Sequence, residues 1–304
     1  MDRIVIIGEV LFDHFPDGST VLGGAPFNVA WHLTGFGLRP LLLTRVGNDA
    51  AGDAILAAMR AWGMDTGGVQ RDPEHPTGRV EVTGTPDEPH YTIVADQAYD
   101  HLDLDAAINS LHHAVGLVCH GTLAQRTPSL RAAFARLPAH WPRLVDLNLR
   151  APWYDDALLR ETLQATRWLK LSTSELHTVA RAARIEPDAD SDSDSDSDEA
   201  LAGALRAQFD LDWVLLTQGA QGAAIVTDSV IRKPRPATET AVVDTVGAGD
   251  AFCAVAIWGL LANWPVAQLL DAAQGFAASI VARQGATHAD PALYRPLRQA
   301  YGTG

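Results

Sequence analysis

Cysteine is scarce in this chain of 304 residues, which contains only Cys119 and Cys253. Two cysteines exclude a disulfide framework and a zinc site built from four cysteines. Both lie in apolar surroundings, so we expect them to be inert residues of the core. Long apolar runs are missing as well, since the longest, residues 251–264, is about 14 residues and too short to span a bilayer. It predicts a buried core helix instead.

Positive charge is also limited, because 23 Lys and Arg stand against 37 Asp and Glu, which gives a net charge of -14. This balance disfavours nucleic acid and anionic membranes as partners, since both require a basic surface. The N-terminus has no basic region followed by a small-residue cleavage site, and it has the pattern of a first strand. We therefore expect a cytoplasmic protein.

One acidic stretch, residues 188–199, consists largely of alternating Ser and Asp. Such a composition predicts a solvated, disordered loop. Its Asp-x-Asp-x-Asp spacing is similar to a calcium-binding loop. However, Ser195 takes the place of the glycine that the turn requires, and Leu201 takes the place of the bidentate glutamate. These two departures argue against a calcium site.

Short apolar runs alternate with helical stretches along most of the chain. The alternation predicts an α/β fold, a mostly parallel central sheet with helices on both faces, formed by one domain over residues 1–304. The predicted strands cover residues 4–8, 40–46, 116–120, 143–147, 168–171, 213–217 and 223–227. The predicted helices that interrupt them cover residues 25–36, 51–62 and 129–137.

Two segments, approximately residues 9–22 and 76–100, interrupt this order. The second contains the alternation Arg79-Val80-Glu81-Val82-Thr83, followed by turn residues, which predicts antiparallel strands outside the main sheet. We expect these strands to form a small lid over a ligand site. An exposed edge of such a lid can pair with a second copy, so a homodimer through the lid strands is a further hypothesis.

The segment from Asp244 to Phe252 joins a turn of small residues to an apolar helix. Gly247, Ala248 and Gly249 allow close approach of an anion to unpaired amides at the helix N-terminus. Asp250 would stand beside that anion, which suits a general base that takes a proton from an attacking hydroxyl. The alternative is purely structural, because Asp is also favoured at the start of helices.

A second glycine pair, Gly23 and Gly24, precedes the helix that carries Asn28. The glycines permit close backbone approach, and Asn28 supplies a donor and an acceptor for a ligand rich in hydroxyl groups. Asp13, which follows the first strand, can accept two hydroxyl hydrogens. A packed helix start and a surface Asp would explain these residues equally well.

Taken together, these two segments make the chain resemble the ribokinase-like (PfkB) family of sugar kinases over nearly its whole length. One family signature matches residues 23–37 and the other matches residues 244–252. The resemblance implies a ribokinase-like three-layer sandwich with a small β-strand lid. It also implies a sugar hydroxyl deprotonated by Asp250 as it attacks the γ-phosphate of ATP, with the amides of Gly247, Ala248 and Gly249 stabilising the developing charge.

By the same resemblance, Asp13, Gly23, Gly24 and Asn28 would hold the sugar. The turn at residues 217–222 would receive the nucleotide phosphates, with Thr217, Gly219 and Gly222 as contacts. The family's Asn-x-x-Glu motif, which organises Mg²⁺ through water, reads Ser172-Thr173-Ser174-Glu175 here. Ser172 replaces the Asn while Glu175 is retained, so we expect dependence on ATP and Mg²⁺ to persist.

Asp244, Val246 and Gly285 lie where some relatives bind a monovalent cation such as K⁺ through backbone carbonyls. Neither a Walker loop nor a Gly-x-Gly-x-x-Gly sequence after the first strand is present, which argues against P-loop enzymes and dehydrogenases. We interpret His112 and His113 as surface residues and His120 as a core residue, since no metal-ligand pattern connects them.

The sequence does not decide which sugar accepts the phosphoryl group. Residues 146–150 resemble the Asp-x-Asn-x-Arg segment of fructokinases and ketodeoxygluconate kinases, and Arg150 offers a rigid fork of donors to a sugar oxygen or a carboxylate. The Gly-Gly-Ala-Pro-x-Asn form of the first signature and Tyr99, which can pack against a sugar face, favour fructokinase. Alternatives are a ketodeoxygluconate kinase, another sugar or nucleoside kinase, and a non-catalytic sugar sensor.

Overall fold

The computed structural model of the chain describes residues 2–85, 88–185, 194–228, 231–232 and 242–302. Within them lie thirteen strands and ten α-helices. The strands are β1 (Arg3–Ile7), β2 (Leu11–His14), β3 (Thr20–Gly23), β4 (Pro40–Gly47), β5 (Val69–Asp72), β6 (Gly78–Thr85), β7 (Glu88–Ile93), β8 (Val115–His120), β9 (Arg143–Asp146), β10 (Trp168–Ser172), β11 (Trp213–Thr217), β12 (Ala223–Val226) and β13 (Ile231–Arg232). The α-helices are α1 (Ala25–Gly35), α2 (Ala50–Trp62), α3 (Leu104–Asn109), α4 (Pro128–Ala135), α5 (Asp156–Gln164), α6 (Thr173–Ala183), α7 (Asp194–Phe209), α8 (Ala248–Leu261), α9 (Val266–Val281) and α10 (Pro291–Tyr301).

The main sheet has nine strands in the order β13-β12-β11-β10-β9-β8-β1-β4-β5. Its pairs from β11 through to β5 are parallel, and β12 and β13 add an antiparallel edge. Strand β1 shows why its sequence is a continuous apolar run: Ile4 and Ile6 pack under α1, α2, α8, α9 and α10, whereas Val5 and Ile7 pack under α3 and α4. A sheet buried on both faces requires apolar side chains on both. The predicted α/β class is confirmed.

A second sheet of four strands, in the order β3-β2-β6-β7, forms the lid. Strands β2 and β3 make one antiparallel hairpin, and β6 and β7 make another. The expectation of purely antiparallel strands is wrong where the two hairpins meet, because β2 pairs with β6 in parallel. Each hairpin starts just after a parallel strand of the main sheet, β1 or β5, so the first strands of both hairpins run in the same direction.

The acidic stretch differs from the prediction in its second half. Residues 186–193 lie outside the described residues, but α7 begins at Asp194, so residues 194–199 are helical rather than a disordered loop. Asp198 and Glu199 are buried, and Asp198 lies 3.0 Å from Nε2 of His177. Asp and Ser are favoured at helix starts, where their oxygens face unpaired amides and the positive end of the helix dipole.

The predicted apolar core helix is α8, in which every residue from Ala251 to Gly259 is buried. A helix that is apolar on all sides belongs inside the protein, and α8 packs between α1 and α9. Cys119 and Cys253 are both buried, as expected. Among the described residues, no helix combines the length and apolar character needed to cross a membrane.

Candidate active site

The N-terminus of α8 is shaped by Gly247. This residue caps the helix with a left-handed φ of 78°, and a side chain there would overlap Ala286. Glycine is therefore required by both the backbone and the packing. Because the first amides of a helix have no partner within it, those that follow Gly247 are directed into the space before α8. This arrangement is typical of an anion site.

Asp250 lies in the first turn of α8, half-buried at the edge of this space. Its Oδ2 accepts a hydrogen bond of 2.8 Å from Nδ2 of Asn28, although the two residues are 222 positions apart in the sequence. The structure thus brings together one residue from each predicted segment. Burial raises the pKa of Asp250 to about 6, even though the hydrogen bond from Asn28 lowers it. A carboxyl group with a pKa near neutrality is suited to act as a general base.

This pKa predicts the pH dependence of turnover. Asp250 can accept a proton only when it is ionised, so kcat/KM should fall about tenfold per pH unit below pH ~6 and level off above it. Glu9 and Asp13 also titrate near this range, with pKa values of about 7 and about 6. The pH profiles of Glu9→Gln and Asp13→Asn separate the contributions, since the limb that belongs to Asp250 must remain in both variants. If the wild-type profile shows no acid limb, the assignment of Asp250 as the base is contradicted.

A buried ion pair lies beneath this turn, and the sequence did not indicate it. Nζ of Lys170 on β10 lies 2.6 Å from Oδ2 of Asp146 at the end of β9. Burial is the largest single effect and lowers the pKa of Lys170, but the charge and hydrogen bond of Asp146, together with Cys253 and Asp250, jointly outweigh it and hold that pKa above its ordinary value. A Cβ placed on Gly249 would lie 3.6 Å from the Lys170 ammonium. The positive charge therefore stands beside the amides at the start of α8.

The predicted sugar-binding residues lie on the other side of Asp250. A Cβ on Gly23 would lie 3.5 Å from Oδ2 of Asp13, and a Cβ on Gly24 would lie 2.7 Å from the carbonyl oxygen of Glu9. Gly24 has a φ of 108°, so the segment after β1 and the start of α1 approach this closely only because residue 24 is glycine, whereas the Gly23 position would accept a Cβ in ordinary contact. Glu9 was missed, although an acid directly after the first strand was visible in the sequence.

Three carboxyl groups of this region lie within electrostatic reach of Arg150. The charge of Arg150 lowers the pKa values of Glu9, Asp13 and Asp250, while burial raises all three. Arg150 itself is exposed and forms no ion pair with any other described residue. Its donors therefore remain available to a ligand in the cleft.

Tyr99 does not lie where a sugar face could reach it. It is 4% exposed and packs in a small cluster with Leu11 and Val80. The Arg126 guanidinium lies 4.8 Å from its ring centroid. Tyr91 on β7 is 51% exposed. The pairing of Asp13 with Val80, of Val80 with Ile93 and of Val82 with Tyr91 puts Tyr91 on the same lid face as Asp13.

The residues predicted for the nucleotide follow strands β10 and β11. Ser172 and Thr217 are register partners at the ends of these parallel strands, so they lie side by side. Gly219 and Gly222 follow with φ values of 57° and 103°, in a turn that leaves space above Gly219. Ligands of parallel α/β sheets bind at this end of the strands.

Glu175 has a structural role, while its predicted role toward Mg²⁺ stays a prediction. Its carboxylate accepts hydrogen bonds from the amide and hydroxyl of Ser172, at 2.7 Å and 2.8 Å, and from the amide of Leu149 at 2.6 Å. It therefore fixes the loop before Arg150 to the start of α6 and is not a solvated helix residue. The carboxylate of Asp244 similarly accepts the amides of Val246 and Gly285, at 3.0 Å and 2.8 Å, which gathers the three residues predicted for a monovalent cation.

The histidines singled out in the sequence lie as expected. His112 and His113 are exposed, and His120 is buried, with its ring edge against Phe134. Burial lowers the pKa of His120 to about 4, so its imidazole is neutral.

This chain is similar to known proteins over most of its length. The profile of the pfkB family carbohydrate kinases matches residues 3–293. The fructokinase of Escherichia coli is 26% identical over 95% of this chain and 96% of its own length. The fructokinase of Klebsiella pneumoniae is 29% identical over 86% of this chain and 85% of its own.

Two solved structures support the fold. Fructokinase from Vibrio cholerae O395 with bound fructose, ADP and calcium ion has a TM-score of 0.78 and 25% identity, covering 97% of this chain and 98% of that one. An uncharacterized sugar kinase from Pyrococcus horikoshii in complex with ATP has a TM-score of 0.76 at 22% identity, over 93% of each chain. The family match extends over nearly the whole sequence, and the chain therefore belongs to the pfkB family of carbohydrate kinases.

Proposed function

We propose that this protein transfers the γ-phosphoryl group of ATP to a hydroxyl group of a neutral hexose, most specifically fructose, in the cytoplasm. The observation that carries the proposal is the Asp250 carboxyl group, fixed by Asn28 beside the first amides of α8, of which the Ala248 amide lies at a long 3.4 Å from the carbonyl oxygen of Thr245. In this geometry the carboxylate removes the hydroxyl proton while the amides of Gly247, Ala248 and Gly249 stabilise the phosphoryl oxygens. Lys170 adds a positive charge next to these amides.

Fructose is supported by the relatives and by the charges of the cleft. Fructokinases recur among the similar proteins, and one of the solved structures contains fructose. On the sugar side of the cleft, Arg150 is the cation whose charge acts on both Asp13 and Glu9. Carboxylates accept hydrogen bonds from sugar hydroxyls, and an uncharged sugar adds no further negative charge to this region.

A sugar acid such as 2-keto-3-deoxygluconate is the second candidate. It is favoured by Arg150, whose guanidinium is exposed and unpaired among the described residues and can bind a carboxylate in bidentate fashion. A 5-dehydro-2-deoxygluconokinase of Geobacillus kaustophilus is 25% identical over 90% of this chain. Other family members, including nucleoside kinases, are similar to this chain only in their fold.

The test is ADP release from Mg-ATP with fructose, ribose, 2-keto-3-deoxygluconate and nucleosides, using wild type and Arg150→Gln. A fructokinase should show its highest kcat/KM on fructose. If a sugar acid is the acceptor, its kcat/KM should exceed that of fructose, and Arg150→Gln should lower it by at least about tenfold, as expected for the loss of a charged hydrogen bond. Nucleotide binding without turnover on any acceptor would favour the non-catalytic sensor.

Mg²⁺ fits the nucleotide side through water. Both oxygens of Glu175 already accept hydrogen bonds, yet a carboxylate offers about four lone pairs, so one remains for a metal-bound water. When bound, Mg²⁺ neutralises phosphate charge. Ser172 provides a hydroxyl group at the position of the family Asn, and Thr217 with Gly219 and Gly222 would contact the phosphates. A K⁺ site near Asp244, Val246 and Gly285 stays a prediction.

The two lid tyrosines should behave differently. Tyr91→Ala is expected to raise the KM for the sugar about fivefold, because an aromatic ring packed on a sugar contributes roughly 1 kcal/mol. Tyr99→Phe should leave this KM within about twofold, since its ring is buried away from the cleft. Initial-rate kinetics at saturating ATP measure both. The reverse order of effects would restore Tyr99 as the sugar contact.

A homodimer through the lid also stays a proposal. The outer strands of the lid are β3 and β7, and Val21 on β3 is 40% exposed. Pairing of such an edge with a second copy would protect it. Sedimentation of the wild type measures the mass directly, and a monomer at micromolar concentration would contradict the dimer.

A further inference from the structure

Three potential metal ligands meet at the base of the lid, outside the cleft described above. His75 lies between β5 and β6, where the chain enters the second lid hairpin. Asp96 and His101 follow β7, where the chain returns to the main body. One ligand atom from each residue lies within 4.8 Å of the other two. The cluster therefore joins the two connections of this hairpin.

The atoms converge on the Asp96 carboxylate. Oδ1 of Asp96 lies 2.7 Å from Nε2 of His101 and 3.8 Å from Nε2 of His75. The two imidazole rings stack with centroids 3.5 Å apart and planes 14° apart.

Asp72 orients His75 as a metal ligand would be oriented. Its buried carboxylate lies 3.2 Å from Nδ1 of His75. Oδ1 of Asp72 also accepts the amides of Glu74 and His75, at 2.8 Å and 2.9 Å, and its Oδ2 lies 2.7 Å from Nε of Arg45. A charged acceptor at Nδ1 favours the tautomer with hydrogen on Nδ1 and leaves Nε2 free to ligate. Ligating histidines commonly donate their other ring N–H to a carboxylate in this way.

The cluster opens onto a cleft of about 450 Å³, lined in part by Arg45, Glu74 and Ser129. The side chain of Asp96 is 75% exposed and that of His101 is 38% exposed, so an ion can reach the ligand atoms from solvent. The cleft also leaves room for one or two water ligands. A simple network of hydrogen bonds needs neither this access nor the support of Asp72.

We propose that His75, His101 and Asp96 bind one divalent cation of the zinc class, such as Zn²⁺, Co²⁺ or Ni²⁺. Two imidazoles and a carboxylate suit these ions, whereas Mg²⁺ and Ca²⁺ prefer oxygen ligands. Three protein ligands complete a tetrahedral site with one water from the cleft. The bound ion ties together the two connections of the β6–β7 hairpin and stiffens the base of the lid.

The experiment is calorimetric titration of the untagged, full-length chain with Zn²⁺ in the absence of nucleotide, together with Co²⁺ absorption spectra. Wild type should bind one equivalent and give the visible bands of tetrahedral Co²⁺. His101→Gln and Asp96→Asn should each weaken binding at least tenfold, because even supporting residues of metal sites contribute 10–100-fold. His113→Gln, an exposed histidine outside the cluster, should bind like wild type.

The outcome is independent of kinase activity, since the readout is binding alone. The proposal is overturned if wild type binds no stoichiometric Zn²⁺, or if His101→Gln and Asp96→Asn retain wild-type affinity. It is also overturned if His113→Gln loses as much affinity as His101→Gln. Because Asp96 and His101 are exposed, both variants should fold, and a thermal unfolding scan without metal verifies this.

Discussion

Asp250→Asn is expected to lower kcat by a factor of about 10²–10⁴, the usual contribution of a positioned general base. Asparagine has nearly the same shape, and its side-chain oxygen can still accept the 2.8 Å hydrogen bond from Asn28. The substitution therefore removes the proton acceptor while it leaves the local packing in place. The measurement is kcat at saturating sugar and ATP, with nucleotide affinity determined in parallel.

A matched control for Asp250→Asn is Asp271→Asn on α9, where the aspartate is exposed. This control should keep wild-type kcat, and both variants should bind ATP and unfold at wild-type temperature. A kcat for Asp250→Asn within tenfold of wild type would show that proton removal by this carboxylate is not part of the limiting step. The same substitution should remove the part of the acid limb that belongs to Asp250, while any part that belongs to Glu9 or Asp13 should remain.

Lys170→Met is expected to lower the free energy of unfolding by about 3–5 kcal/mol, the usual effect of removing one partner of a buried ion pair. The side chains of Lys170 and Asp146 are only 7% and 12% exposed, so Asp146 would be left as an unpaired buried charge. The measurement is urea unfolding followed by tryptophan fluorescence. A change below about 1 kcal/mol would indicate that water or another group compensates Asp146.

The double variant Lys170→Met/Asp146→Leu separates stability from catalysis. Replacing both charges with apolar side chains is often neutral or stabilising, so most of the lost stability should return. The charge of Lys170 lowers the pKa of Asp250, whereas that of Asp146 raises it. The acid limb should therefore move to higher pH in the single variant and return toward pH ~6 in the double variant. Low kcat in a stable double variant would assign Lys170 a direct electrostatic part in phosphoryl transfer.

Elements whose signals are local were predicted well. The helix with Asp250 was visible because its glycines, its acid and its apolar run are contiguous in the sequence. Strand β11, predicted at residues 213–217, occurs at those residues. The short strand β5 was missed because Val69–Asp72 contains only one apolar residue, too few for a recognisable strand pattern. Its backbone is held in a strand by pairing with β4.

Side-chain positions within the lid were less predictable. The alternation in β6 indicated a strand with two different faces, but pairing with β2 and β7 decides which face covers the cleft. A shift of one residue in register would exchange the faces. For this reason Tyr91 on β7 was overlooked, whereas Tyr99 was chosen from the resemblance of its segment to fructokinases, although it follows β7 and is buried.

The sequence by itself determined the fold class, the family and the segment that contains Asp250, because each depends on short-range patterns of apolar, glycine and acidic residues. Only the tertiary structure decided which distant groups meet. It paired Lys170 with Asp146 across two strands, placed Asn28 on Asp250, and gathered His75, Asp96 and His101 at the base of the lid. Such contacts follow from strand register and chain crossings, and the energy of a buried charge depends on its neighbours in space rather than on its neighbours in the chain.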